Sequence, residues 1–265
     1  MLADLHNHTY SSFDGMQTVS QMCADALKNN ISIVACTEHY DCDIRGGMMH
    51  FSRRLDSWLD ETAAAKKEYG GAVTLLRGIE VGQMHIYPKT AREFISSAPF
   101  DVVIGSIHDI RGGRDIYAMH PDNVDEFFEE YFSEMRFMIE QGGFDILGHL
   151  DYPIRVFEKE LGGIPSLKRW ESLITPCLCA LVTRGISLEL NTALLRSWAG
   201  GFGMEQWLLQ KYKSLGGEMV STGSDGHGRE KMTGLGIARA YEYLKENGFD
   251  RVTVFCGRKP EFIHI

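Results

Sequence analysis

The chain has 265 residues, with 27 Lys and Arg against 36 Asp and Glu, for a formal net charge of -9. A composition of 44% hydrophobic and 24% charged residues excludes global disorder, and the length suffices to bury a sizeable core. The acidic excess speaks against sequence-independent nucleic-acid binding, which needs surplus Lys and Arg to neutralise phosphates, and at first sight against any phosphorylated ligand.

Short apolar runs, often β-branched, alternate with longer amphipathic segments along the whole chain. The runs predict strands over Leu2–His6, Ile31–Thr37, Val73–Val81, Val102–Ile107, Ile146–His149, Ile186–Leu190, Met219–Thr222 and Val252–Cys256. Between the first two, Thr18 and Gln21 have the spacing of a capping box, and the helix they open ends near Asn29-Asn30. Ser52 opens a segment that carries Leu55, Trp58, Leu59, Thr62 and Ala63 on one face and stops at Gly70-Gly71. Asp122 opens another, whose Phe127, Phe128, Tyr131, Met135, Met138 and Ile139 read as core packing. Thr175-Pro176 fits an N-cap followed by the first helical position, and Gly185 fits the residue just past the end. Asn247-Gly248 stops the last long helix. No linker, repeat or low-complexity stretch interrupts this order, so one domain over residues 1–265 is expected. Alternating strands and helices predict either a doubly wound sheet or a parallel barrel.

The six cysteines form no C-x-x-C pair, which suits reduced thiols better than a disulfide framework. The segment MLADLHNHTY has neither a basic region nor an apolar stretch of the signal-peptide type. No apolar run approaches the ~20 residues of a membrane span. A cytoplasmic protein without membrane contact is the expectation.

Six of the ten histidines fall at or just past the end of a predicted strand. His6 and His8 follow the first, His39 the second, His108 the fourth, His149 the fifth and His227 the seventh. Glu80 ends the third strand, Glu189 the sixth, and Asp225 lies two residues before His227. Parallel strands put all these ends on one face, so residues distant in sequence meet in one cavity. His6 with His8, and Asp225 with His227, are i,i+2 pairs that point to one side of extended backbone. Imidazoles mixed with carboxylates suit Zn, Mn or Fe and suit Ca badly. There are more candidate ligands than one ion uses, which implies a multinuclear site. A lone H-x-H is a weak signal, and Asp225-Gly226-His227 alone could be a turn. Joint placement at successive strand ends carries the reading. His50, His85, His120 and His264 lack that placement and suit surface or packing roles.

These residues stand in motifs that resemble the polymerase and histidinol phosphatase (PHP) superfamily, and within it the stand-alone histidinol-phosphatases. The motifs are Asp4-Leu5-His6-Asn7-His8-Thr9, Thr37-Glu38-His39, Gly78-Ile79-Glu80, Gly105-Ser106-Ile107-His108, Gly148-His149-Leu150-Asp151 and Gly223-Ser224-Asp225-Gly226-His227. The resemblance implies a distorted (β/α)7 barrel with three divalent metal ions, Zn, Mn or Fe, at the C-terminal ends of the strands. It implies that His6, His8, Glu80 and Asp225 hold the first ion. Glu80, as a bridge, joins His108 and His149 on the second. His39 and His227 hold the third, joined by Asp14. The implied reaction is hydrolysis of a phosphate monoester, L-histidinol phosphate, by a metal-bridging hydroxide held at Glu80, Asp225 and His227. Arg155 and Arg196, after two strand ends, would grip the phosphate as guanidinium forks.

Several further roles are open. Glu189 and Asn191 share a face and would line the site's mouth. Asp41, Asp43, Asp109, Asp115 and Tyr117 lie on two loops beside the strand ends, where they would meet the substrate's cationic part or be solvated. Other phosphate esters, or a replication-associated nuclease role, are the competing readings, and the net charge of -9 weighs against the nuclease. The charge does not exclude a small phosphate ester. Asp14, Glu80 and Asp225 against three divalent ions leave a local surplus of positive charge. The partner expected is thus a small phosphate monoester, with no nucleic acid and no membrane.

Overall fold

The structure is a computed structural model that describes residues 1–42, 47–157, 166–196, 201–229 and 232–265. Seven strands make one parallel sheet in the order β1 (Leu2–Asp4), β2 (Ile31–Asp41), β3 (Thr74–Gly82), β4 (Val102–Ser106), β7 (Ile146–Leu147), β8 (Ser187–Asn191) and β9 (Val220–Gly223). A small antiparallel hairpin, β5 (Asp109–Ile110) with β6 (Arg114–Asp115), lies between β4 and β7 in the chain. The sheet curls until its edges meet: Leu5 N donates to Thr222 O at 2.9 Å, and His8 N donates to Gly226 O at 2.7 Å. This is the distorted seven-stranded barrel that the family resemblance implied.

The strands are buried on both faces, which is why they read as apolar runs rather than alternating ones. Val102 and Ile104 on β4 join Ala3, Leu5, Leu76 and Ile146 inside the barrel. Val103, between them, faces out into the larger core that packs against the helices. These are α1 (Val19–Lys28), α2 (Gly47–Ser52), α3 (Leu55–Tyr69), α4 (Pro88–Ile95), α5 (Val124–Gln141), α6 (Tyr152–Phe157), α7 (Glu171–Arg184), α8 (Gln206–Ser214) and α9 (Ile237–Glu246). The expected capping box forms at α1, with both the Thr18 and the Gln21 hydrogen bond in place. Among the described residues no helix is long and apolar enough to cross a membrane, and none of the six cysteines forms a disulfide.

Four expectations need correction. Ser52 ends α2 instead of opening a helix, and α3 starts at Leu55. The cap of α5 is Asn123, whose side chain accepts from Asp125 N and Glu126 N, not Asp122. Helix α7 begins at Glu171, so Pro176 lies inside it. There, Ile174, Cys177, Leu178 and Leu181 make a buried stripe at helical spacing that outweighs one missing backbone donor.

The eighth predicted strand exists but stays out of the barrel. It is β10 (Arg251–Cys256), paired antiparallel with β11 (Lys259–His264). The turn between them bonds to the N-terminal side of the sheet: Arg258 N donates to Asp101 O at 2.8 Å, and its guanidinium pairs with Asp145. Val254 and Phe255 fill the barrel interior from that end. Phe255 is 2% exposed. Phe255→Ala should therefore cost about 3–5 kcal/mol in a denaturant titration. A loss below about 1 kcal/mol would show that the hairpin does not seal the core.

Candidate metal centre

The pairing of β2 with β3 runs register by register from Ile33↔Thr74 to Asp41↔Gly82. This keeps β2 extended past Thr37, where the apolar run ends, and sets His39 beside Glu80. Glu80 is fully buried, and its carboxylate is the hub of the site. Oε2 lies 3.3 Å from His6 Nε2, 3.6 Å from His8 Nε2 and 2.9 Å from His39 Nδ1. Oε1 lies 2.8 Å from His149 Nε2 and 3.3 Å from His108 Nε2, and accepts from Ser106 Oγ at 2.7 Å.

Asp225 and His227 close the ring from the other side of the barrel seam. Asp225 Oδ1 is 3.4 Å from His8 Nε2 and 3.9 Å from His6 Nε2. Its backbone is left-handed, with φ +53°, a conformation that Asp tolerates better than most residues. His227 Nε2 is 3.1 Å from Asp14 Oδ2, and Asp14 Oδ1 is 3.6 Å from His39 Nε2. All nine candidate ligands are thus brought to one cavity, Asp14 included. Four overlapping groups of ligand atoms can each surround an ion: His6/His8/Asp225, His6/Glu80/His149, His39/Glu80/His108 and His8/His39/His227.

Two observations test whether these residues fit metal. First, His6 Nε2, His8 Nε2, His39 Nδ1 and Glu80 Oε2 are buried and make no hydrogen bond, although they crowd together. Buried polar atoms without a partner are costly, and ions would satisfy all four. Second, ligands about 2.0–2.1 Å from a tetrahedral ion lie about 3.3–3.4 Å from one another. The His6–Glu80 and His8–Asp225 separations of 3.3 and 3.4 Å match that edge length.

The electrostatics agree. Burial disfavours charge on His6, but Glu189, Glu80 and Asp225 outweigh it and raise its pKa well above the ordinary value. Burial likewise opposes charge on His108 and His39, yet carboxylates led by Glu80 push both up, His39 to about 9. Burial opposes ionisation of Glu80 and Asp225 too; the imidazoles, and Arg155 beside Asp225, hold both carboxyls well below the usual range. His8 is pushed well down by burial and by His39 and His227. Raised imidazoles thus face lowered carboxyls across the cluster.

Arg155 lies on α6 and donates from Nη1 to Asp225 Oδ2 at 2.6 Å. Its Nη2 is buried without a partner. Arg196 reaches the same edge, but donates from Nη1 to Ser224 O at 2.6 Å and from Nη2 to Asp225 O at 3.2 Å. It holds the turn that carries Asp225.

Other polar residues sit differently from expectation. Glu189 does not line the mouth. It is 2% exposed, with Oε1 2.7 Å from His6 Nδ1 and Oε2 accepting from His149 N at 2.6 Å. Asp41 is also buried, with Oδ1 2.7 Å from His108 Nδ1. Asp115 caps the short turn at Ile116–Ala118 by accepting from Tyr117 N, Asp109 is buried, and Asp43 falls outside the described residues. Glu38 is the residue that sequence reasoning passed over. Its buried carboxylate accepts from Thr9 N, Thr9 Oγ1, Ser12 Oγ and Cys36 Sγ, which pins the loop between His8 and Asp14. Its place inside Thr37-Glu38-His39 was the available signal. His85 has a packing role, paired with Glu134 at 2.8 Å.

Comparison with known proteins adds five findings. The family model "PHP domain" matches residues 4–193. Histidinol-phosphatase of Lactococcus lactis is 28% identical over 264 residues, covering 97% of this chain and 95% of that protein. A probable histidinol-phosphatase of Thermotoga maritima is 27% identical, covering 96% and 95%. Among solved structures, histidinol phosphate phosphatase from Lactococcus lactis, complexed with zinc, L-histidinol and phosphate, matches with a TM-score of 0.82 at 25% identity over 98% of each chain. A putative histidinol phosphatase from Listeria monocytogenes shares the fold with a TM-score of 0.71 at 20% identity.

Proposed function

The chain belongs to the PHP domain family, and on that premise we propose that it is a metal-dependent histidinol-phosphatase, hydrolysing L-histidinol phosphate to L-histidinol and phosphate. The match along 98% of both chains to a phosphatase holding zinc, L-histidinol and phosphate carries this reading. The reading places three divalent ions among His6, His8, Asp14, His39, Glu80, His108, His149, Asp225 and His227. Zinc is the ion in the neighbour's complex. Divalent ions in this cluster would supply a water of lowered pKa as nucleophile and positive charge against the phosphoryl oxygens.

The chain's own groups do the rest. Glu80 and Asp225, both ionised, set the negative charge that keeps cations in the cavity. The Nη2 of Arg155, buried and without a partner, is a donor available to a phosphate oxygen, on which charge grows as the ester bond breaks. Arg196 steadies the Asp225 turn and adds a second positive charge at the same edge. The deep burial of the ligands keeps bulk water from screening these charges. The substrate is tested by a panel of phosphate monoesters, each assayed with Zn, Mn and Fe. L-histidinol phosphate should have the highest kcat/KM. A nucleotide, sugar phosphate or phosphotyrosine ahead of it would transfer the reading to another phosphoesterase.

Metal uptake should be proton-linked. The carboxylates around them raise the pKa values of His6 and His108, and of His39 to about 9, which favours the protonated imidazoles. Neutral imidazole is the form that binds metal, so binding must release those protons. Apparent affinity should then rise with pH until His39 has titrated, near its value of about 9. Calorimetric zinc titration in two buffers of different ionisation enthalpy should show net proton release. Heats independent of the buffer would contradict it.

A further inference from the structure

The residues behind the imidazoles differ from one metal position to the next. His6 is backed by a carboxylate, Glu189, whose other oxygen is fixed by His149 N at 2.6 Å and Asn191 Nδ2 at 3.2 Å. His108 is backed by another, Asp41, whose Oδ1 lies 2.7 Å from His108 Nδ1. Each of these carboxylates occupies space that a glycine leaves open. A Cβ on Gly82 would collide with the Asp41 carboxylate, and one on Gly223 would collide with that of Glu189.

At the Asp14–His39–His227 position no carboxylate among the described residues stands as close behind an imidazole; that of Asp225 is 3.6 Å from His227 Nδ1. His227 Nδ1 lies 2.9 Å from the backbone oxygen of Asp225. His39 faces Glu80 with one nitrogen and Asp14 with the other, so neither ring nitrogen points away from the ligands. The Asp14 side chain is 39% exposed, whereas Glu80 is wholly buried.

A carboxylate behind a ligating imidazole fixes its tautomer, aligns its ring and raises its basicity. We infer that Glu189 and Asp41 are positioning residues that make the centre load unequally. Two ions are held tightly, at the His6 and His108 positions, and one exchanges readily at the Asp14–His39–His227 position. This inference rests on the multinuclear reading proposed above. Its functional consequence is graded: when divalent metal is scarce, the chain keeps two ions and loses the one nearest the mouth.

The test is zinc release from the fully loaded full-length chain into excess chromogenic chelator, followed by stopped-flow. One equivalent per chain should leave at least about ten-fold faster than the other two. Asp14→Asn should abolish only the fast equivalent. Asp41→Asn and Glu189→Gln keep shape and one acceptor oxygen but remove the charge, and each should move one slow equivalent into the fast phase. Circular dichroism of each variant checks that the fold is retained. Three equivalents leaving in one phase would overturn the inference and leave the multinuclear reading standing. So would slow phases unchanged in both carboxylate variants. A wild-type chain that takes up at most one zinc would overturn the reading, and the inference with it.

Discussion

Glu80→Gln should lower kcat/KM for L-histidinol phosphate by at least about a thousand-fold, or ~4 kcal/mol of transition-state stabilisation. Glu80 approaches five imidazoles within 3.6 Å, more than any other carboxylate in the site. Its two oxygens face different histidines, so a bridge between ions needs both. The amide keeps the size of the side chain but offers one ligand oxygen and turns an N–H2 toward imidazole nitrogens. It also removes one of the negative charges that offset the cations. Bound metal should fall together with activity, which elemental analysis of the purified variant measures. Activity within ten-fold of wild type, with full metal content, would remove Glu80 from the centre of the account.

Arg155→Ala should lower kcat/KM by about a hundred- to a thousand-fold. The guanidinium is partly exposed, reaches Asp225 with Nη1 and leaves Nη2 buried and free. A buried donor without a partner at the edge of a cationic cavity is suited to a phosphate oxygen. Two measurements separate that role from support of Asp225. Inhibition by inorganic phosphate should weaken in parallel with kcat/KM. Metal content should stay at the wild-type level, because the Asp225 turn is still held by Arg196. Arg155→Lys should recover only part of the loss, since an ammonium cannot present the planar fork. Unchanged phosphate inhibition in Arg155→Ala would contradict the role.

The barrel and the side-chain cluster at its strand ends were legible because both follow from where the apolar runs stop. Strands buried on two faces write themselves as apolar runs, and each run stops where the chain must become polar. His6, His39, Glu80, His108, His149 and Asp225 stand at those stops, and parallel order makes the stops neighbours. Asp14 was not legible from spacing, since it sits on a loop. The resemblance alone pointed to it, and the structure brings it 3.1 Å from His227.

Depth was harder to read than position. Glu189 and Asp41 stand at strand ends like the ligands, yet they lie behind imidazoles instead of facing the mouth. What decides this is room on the adjacent strand, at Gly223 and Gly82, and cross-strand room leaves little trace in local sequence. The same limit applies to β10. Its apolar run resembles a barrel strand, but β1 already bonds to β9 and leaves no gap. The Gly257-Arg258 turn, both residues at positive φ, then folds β10 back on β11. Pro176 misled for a third reason, because tertiary packing of a helix face outweighs one unfavourable residue.

We propose that eight side chains at or just past successive strand ends, with Asp14 from a loop, form one multinuclear metal centre. Anomalous diffraction at the zinc edge, from crystals of the zinc-loaded chain, tests it most directly. Three peaks within ligand distance of Glu80, Asp225, Asp14 and the six histidines are the predicted result. A single peak, or peaks away from these residues, would contradict it.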